Sequence, residues 1–262
     1  MIRSPQTLVS FALAASVVVA CAAPRDPELE RHVIMQRLKA TAPKAPEASQ
    51  PAPPAPPANA PAGPSAAVKT YSNADLTRLF AAAPGTGARI TATIETSQGS
   101  VTCVLEDQRA PQTTANFLGL ALGQTPWRTR EGADPQTRPF YDGLTFHRAL
   151  DNFIIQAGNP TGRFNAGPGW RIARETGAND LFEQPGALAM IDDGDATHGS
   201  QFFITARADK SMGGRYAAFG RCDNPDLVRS IANAEKRAAT DGKPSTPVSP
   251  VRIERLVVNR TE

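Results

Sequence analysis

Cysteine and histidine are both scarce, with three of each in 262 residues. Cys21, Cys103 and Cys222 are too few for a disulfide scaffold and too far apart for the close ligand pairs of a zinc module. His32, His147 and His198 match no metal-ligand spacing, so neither a metal nor a cofactor is expected. Charge of one sign is missing as well. A formal net charge of +3, with basic residues scattered among acids and no Lys/Arg block, leaves no footprint for a nucleic-acid partner. Ser200 lies in Gly-Ser-Gln and not on a Gly-x-Ser-x-Gly elbow, which removes the usual serine nucleophile. The acidic run Asp192-Asp193-Gly194-Asp195 lacks both the ligand spacing and the closing glutamate of a calcium loop. Gly158 to Gly169 is rich in glycine but has no following helix with a phosphate-binding Lys, so it reads as a covering loop.

Proline is abundant, and unevenly placed. Nine prolines fall between Pro43 and Pro64, in a stretch of Ala and Pro that cannot pack a core. Such a segment is a semi-rigid extended spacer, reaching several tens of Å at roughly 3 Å per residue. Ahead of it, Arg3 precedes the apolar run Leu8 to Ala20, too short for a comfortable membrane span. A basic start, a short apolar middle and a small-residue end make a signal peptide over residues 1–20. Val18-Val19-Ala20-Cys21 resembles a bacterial lipobox, which makes Cys21 the lipidated first residue and residues 21–70 a tether. Cleavage after Ala22 and an uncleaved anchor are the competing readings. Ala22 after the cysteine points to the outer membrane, with the domain facing the periplasm or the cell exterior. Asp26 to Ala40 has the spacing of a short amphipathic helix, too short to be stable alone.

The folded part follows. Ser72 to Ala83 predicts a helix capped by Ser72 or Asn73, giving a helical lead-in over residues 71–88. Ile90, Ala92 and Ile94 alternate with polar residues, as do Val101, Cys103 and Leu105 beyond a turn at Ser97 to Ser100, which predicts a hairpin with one buried face. Pro111 to Leu122 predicts a helix opened by proline, and Asp226 is expected to cap a second one. Ala187 to Ile191, Gln201 to Thr205, Ala217 to Cys222 and Val251 to Val258 read as strands. Many short strands with two helices predict a mainly β domain over residues 89–262, a closed antiparallel β-barrel capped by the two helices.

One stretch carries the chemistry. Phe146-His147-Arg148 and Phe153-Ile154-Ile155-Gln156-Ala157-Gly158 are two strands around a turn. Alternation places Arg148 on the side of Phe146, and Gln156 on the side of Ile154. A second block runs from Pro185-Gly186-Ala187-Leu188-Ala189-Met190 to Gly199-Ser200-Gln201-Phe202-Phe203-Ile204-Thr205. Together, and in this order, the blocks resemble the two signatures of the cyclophilins, the peptidyl-prolyl cis–trans isomerases. The resemblance spans roughly Ile90 to Arg260 and implies the same barrel. It implies that Arg148 is catalytic and that Phe153, Ile154 and Phe203 form a proline pocket. Gln156 and Gln201 would contact the peptide, Met212 would fill an aliphatic position, and Tyr216 would stand where the family has His or Tyr. Ile191 and Asp192 would meet the substrate chain.

Such chemistry suits the residues present. Amide rotation breaks no σ-bond and faces a barrier of about 18–20 kcal/mol set by resonance. A guanidinium beside apolar surface can stabilise the twisted amide without exchanging a proton. Two departures stand out: Ser211 replaces an aromatic that many cyclophilins carry, and Ile191-Asp192-Asp193 replaces Ala-Asn-Ala/Ser. The acids there either favour basic residues beside the proline or form a solvated turn. Cys103 and Cys222 take inward strand positions, where buried free thiols are the default and an oxidising compartment permits a disulfide. The expected protein is a monomeric, lipid-anchored isomerase acting on proline-containing polypeptides during the folding of exported proteins. A tethered proline-peptide binding module with little turnover is the alternative.

Overall fold

A computed structural model describes residues 66–128, 133–161, 167–239 and 242–262. The signal peptide, Cys21, the short amphipathic helix and the tether up to residue 65 lie outside the described residues.

The elements follow closely from local signals. Helix α1 (Asn73–Ala81) starts at Ser72, whose hydroxyl accepts from the Asp75 N–H while the Asp75 carboxylate accepts from the Ser72 N–H. That reciprocal box satisfies two donors a helix start otherwise leaves bare. Helix α2 (Pro111–Ala121) has proline in its first turn but no side-chain cap of its own. The Glu175 carboxylate takes that role from another loop, accepting from the N–H groups of Gln112 and Thr113 at 3.1 and 2.7 Å. A negative charge there also complements the helix dipole. Helix α3 (Pro225–Ala232) is capped by Asn224 in a left-handed conformation, with φ 52°, and not by Asp226 as the sequence predicts. Proline needs no N–H partner at the first helical position, which moves the cap one residue ahead of it.

The strands form one large sheet and a small ribbon. β1 (Val68–Lys69), β2 (Arg89–Thr96), β3 (Gly99–Leu105), β4 (Arg148–Leu150), β5 (Ile154–Ala157), β6 (Arg171–Ala173), β7 (Ala187–Asp193), β8 (Ala196–Thr205), β9 (Ala218–Cys222) and β12 (Ile253–Thr261) make the ten-stranded sheet. β10 (Lys236–Ala238) and β11 (Pro244–Pro247) make the ribbon. The large sheet runs β1-β6-β8-β7-β9-β3-β2-β12, with β5 also joined to β8 and β4 to β5. The mainly β fold with helices is as expected, while among the described residues the ladder is not continuous around a closed barrel. Beside the start of β12, among the described residues, lie the isolated bridge Thr145–Arg252 and main-chain bonds from Phe146 N to Val251 O, Ile253 N to Leu144 O and Gly143 N to Ile253 O. Pro250 has no N–H to give to a ladder there, and the β12 register shifts between Ile253 and Arg255. Three α-helices, the lead-in helix and the two expected to cap the sheet, accompany it among the described residues.

The main core lies on the inner face of the sheet. Ile90, Ala92, Ile94, Val101, Phe117, Phe146, Ile155, Phe202, Phe219, Val228 and Ile231 pack together there, all but fully buried. Each large side chain removed from water stabilises the fold by about 1.5–3 kcal/mol. Cys103 and Cys222 are register partners on β3 and β9, and their sulfurs are joined in a disulfide. Spatial pairing decided this outcome, because 119 residues separate the two cysteines in the chain.

The lead-in is not a free linker. Val68 and Lys69, placed in the tether by the sequence, pair in parallel with Arg171 and Ile172 of β6. Behind them Tyr71, Leu79, Ala115 and Ile172 form a small core of their own. The Asn116 Oδ1 accepts from the Tyr71 hydroxyl at 3.1 Å and the Trp170 indole at 2.9 Å, while its Nδ2 donates to Gly199 O at 2.6 Å. β1 and α1 are thus bound to the same elements that carry β8.

Candidate functional site

The outer face of the sheet carries a second apolar cluster, separate from the main core. It contains Phe153, Ile154, Ile191, Phe203, Met212 and Tyr216, six of the residues singled out from the sequence. Strand register explains why they meet. Arg148 pairs with Gln156, Gln156 with Phe203, Phe203 with Ala189, and Ala189 with Ala218, one line of cross-strand partners over five strands. Directly paired residues point to the same face, so the line sets a guanidinium and an amide at one end and aromatic surface beside them. Ala189 and Ala218 are small, which leaves depth in front of Phe203.

Alternation fails at one point. Phe146 packs in the main core with Ala149 and Ile155, whereas Leu150 joins the outer cluster and pairs with Ile154. Arg148 therefore faces with Leu150, away from Phe146. The regular strand begins only at Arg148, so the period of two does not extend back to Phe146.

The polar end is a chain of three side chains. Arg148 Nη1 donates to Gln156 Oε1 at 3.5 Å, and Gln156 Nε2 donates to Gln201 Oε1 at 2.9 Å. All three are buried, with Arg148 only 7% exposed. Gly158, just past β5, has φ +88°, and a Cβ there would stand 2.2 Å from the Ser200 carbonyl oxygen. The absent side chain lets β5 run close against β8, which brings Gln156 within reach of Gln201.

The apolar end is built from several turns. Phe203 meets Tyr216 edge-on at 5.2 Å between ring centroids and stacks on Phe182 at 6.5 Å. The Arg207 guanidinium lies over the Phe153 ring at 5.3 Å. Met212 comes from the 3-10 turn Lys210–Met212, pinned by the Asp209 carboxylate, which accepts from the Ser211 N–H at 3.1 Å. Ser211 itself is exposed on the rim. Burial pushes the Tyr216 hydroxyl pKa up; the nearby charges of Arg215, Asp192, Arg148 and Arg174 act on it in smaller and opposing ways.

The carboxylates of the acidic turn reach solvent and also meet arginines of the neighbouring segment. The Asp192 carboxylate is bonded by Arg174, which also reaches the Gly194 carbonyl. Asp195 is paired with Arg171 at 2.6 Å, and the hydrogen bond from Arg171 holds its carboxyl below the usual range. Two of the three carboxylates thus carry their own counter-ions, which removes most of the reason to expect attraction of basic peptide residues. Arg171, Arg174 and Phe182 went unrecognised in the sequence. β6 is three residues long and Phe182 sits in a 3-10 turn (Asn179–Glu183), so neither shows a usable period.

His147 is the neighbour of Arg148. Both of its ring nitrogens are sealed from solvent, and the Thr145 main chain and the Gln201 side chain act on the ring against the effect of burial. Burial pushes its pKa down to about 4, so the ring is neutral at physiological pH. Cys21 lies outside the described residues, and no group of three or more metal-ligating side chains occurs among those described.

Comparison with known proteins identifies the family. The profile of the cyclophilin type peptidyl-prolyl cis-trans isomerases matches residues 91–258. A probable peptidyl-prolyl cis-trans isomerase A of Mycobacterium leprae is 38% identical over 169 residues, covering 64% of this chain and 92% of the relative. Peptidyl-prolyl cis-trans isomerase B of Streptomyces anulatus is 36% identical over 167 residues, covering 64% of this chain and 95% of the relative. In three dimensions the chain is similar to a cyclophilin type isomerase of Cryptosporidium parvum, with a TM-score of 0.53 at 23% identity, covering 66% of this chain and 99% of that one. That likeness speaks for the fold. With the profile spanning well over half of its length and both signatures converging on one pocket, the chain belongs to the cyclophilin family of peptidyl-prolyl cis–trans isomerases.

Proposed function

We propose that this chain is a lipid-anchored, extracytoplasmic cyclophilin that speeds X–Pro rotation in exported or envelope proteins as they fold. Peptidyl-prolyl isomerisation is the activity of its family. The observation that carries the site assignment is the single line Arg148–Gln156–Phe203 with Gln201 beside it.

The chemistry follows from what those groups can do. The two isomers of an X–Pro bond differ by only about 0.5–1 kcal/mol, yet they interconvert over tens to hundreds of seconds. As the amide twists, resonance is lost and the lone pair localises on the prolyl nitrogen. The proline ring sits on Phe153, Ile154, Phe203 and Met212, surface that holds it equally well in either isomer. The guanidinium of Arg148 donates to the nitrogen, an interaction available only once the lone pair has localised. Binding that appears only in the twisted state lowers the barrier. Gln156 orients the guanidinium and Gln201 holds the peptide backbone. Ile191 and Asp192 line the path of the substrate chain, and Tyr216 closes the far side.

The envelope assignment rests on the sequence of residues 1–21 and is supported by the disulfide, since such bonds persist in oxidising compartments. No helix among the described residues is long and apolar enough to cross a membrane. The proline-rich tether holds a monomeric domain clear of the outer membrane. Isomerisation of an X–Pro peptide, compared with Arg148→Ala, tests the activity. A large rate difference is expected; equal, uncatalysed rates for both proteins would instead make the chain a proline-peptide binding module. For the anchor, Cys21→Ser should release the protein from membranes, and unchanged partitioning would overturn that assignment.

A further inference from the structure

We propose that the segment Ala55-Pro56-Pro57-Ala58-Asn59-Ala60-Pro61, just upstream of the folded domain, is a substrate of that domain's own pocket in cis. The proposal rests on the isomerase reading and adds a built-in occupant for the site.

The direction in which the chain joins the sheet is the reason. Val68 pairs with Arg171, and Arg171 pairs with His198 of β8; Lys69 pairs with Ile172, and Ile172 with Thr197. Each step upstream from β1 is therefore a step along β8 toward Gln201 and Phe203. Ala67 and Ala66 continue that course, their carbonyls accepting from Arg171 N and Arg171 Nε, each at 3.0 Å. By the same register Ala66 comes level with Ser200, one residue from Gln201. Its lateral offset from β8 is two strand spacings, about 10 Å. The chain thus enters the domain from the pocket side.

That entry point is held firmly. The Lys69 ammonium lies over the rings of Tyr71 and Trp170 at 4.7 and 4.3 Å, and both rings bond Asn116. Pro61 is five residues from Ala66 and Pro56 is ten. In extended polyproline geometry these lengths reach roughly 15 and 31 Å. The pocket at Phe203 lies three residues further along β8, so it is about 14 Å away in all; Pro61 reaches that distance only when fully extended, and Pro56 reaches it with slack. Confinement within such a radius gives an effective concentration in the millimolar range or above. The chemistry fits too. Both dipeptides present a small alanine before proline, and no charged residue occurs between Glu47 and Lys69. The rim they would cross has two of its three acids paired with Arg171 and Arg174.

Exchange spectroscopy on the full chain in detergent, labelled with carbon-13 in alanine and proline, reads the step directly. Uncatalysed exchange, over roughly tens to hundreds of seconds, gives no cis–trans cross-peaks at a mixing time of about one second. Cross-peaks for Ala55-Pro56 or Ala60-Pro61 are expected in the native chain, at a rate independent of protein concentration. They should vanish in Arg148→Ala, and in the native chain when excess Ala-Pro peptide is added. If the native sample isomerises an added peptide but shows no cross-peaks, the proposal fails and the isomerase reading stands. A rate that rises with protein concentration overturns it in favour of a second copy as the catalyst. If the added peptide is not isomerised either, the isomerase reading fails and takes this one with it.

Discussion

Removing the staple between β3 and β9 is the sharpest test of how the sheet is held. These strands share only the register pairs Cys103–Cys222, Val104–Arg221 and Leu105–Gly220, yet they join the β2–β12 side of the sheet to the β7–β8 side that bears the pocket. With 119 residues between the cysteines, the chain-entropy relation gives about 5 kcal/mol of stabilisation at 25 °C from restriction of the unfolded chain. Measured losses usually fall short of that figure, so the double variant Cys103→Ala/Cys222→Ala should lose about 2–5 kcal/mol. With a urea slope of about 2 kcal/mol per molar, the unfolding midpoint falls by about 1–2.5 M. Reductant should shift the native protein by a similar amount and leave the variant unmoved. Thiol titration of the unfolded, unreduced protein should find neither Cys103 nor Cys222. Two reactive thiols together with a midpoint indifferent to reductant would refute both the staple and the support it lends to an oxidising compartment.

Other perturbations separate the remaining parts of the site. Arg174→Ala should uncover the Asp192 carboxylate and raise kcat/KM for peptides with Lys or Arg beside the proline about two- to five-fold over neutral ones, an effect that added salt erases; no change would mean that Asp192 does not face the peptide. His147 has a folded pKa of about 4 against an ordinary value of 6.5, because burial disfavours its charged form. Below pH 6.5 the unfolded chain takes up a proton that the folded chain refuses, so this stability is full above pH 6.5 and is lost as pH falls toward 4, by about 3 kcal/mol in all. Burial lowers the His198 pKa as well, with the same sign. Urea midpoints at pH 7 and pH 4.5 measure the slope, which His147→Gln should flatten. Asn116→Leu strips partners from Tyr71, Trp170 and Gly199 at once and should cost about 3 kcal/mol or more. Hydrogen exchange at β1 and β6 should then speed up before that at β2 and β3; uniform protection would mean that the lead-in is not held by this residue.

Most of the regular elements were legible because their signals are local. The box at Ser72 and Asp75, the proline opening α2 and the alternation of Ile90, Ala92 and Ile94 each depend on a few neighbouring residues. The fine placement of α3 was misread because Asp226 and Asn224 are both good caps, and the choice depends on Pro225 between them. β1 and β6 were missed for a different reason: two- and three-residue strands have no period, and only the β8 edge makes them strands at all. The break in the ladder beside β12 was not foreseen either, since periodicity does not show where Pro250, which has no N–H, meets a neighbouring strand.

The amino-acid sequence by itself determined the chemistry on offer: a permanently charged donor, two amides and a set of apolar side chains. It also determined the family, through two signatures whose order and spacing are properties of the chain. Tertiary structure alone decided three things. It joined Cys103 to Cys222, since pairing over 119 residues is a matter of strand register. It paired Asp192 and Asp195 with arginines in and just after a strand too short to foresee. It also made a strand of Val68 and Lys69, because only the edge of β6 offers them a parallel partner.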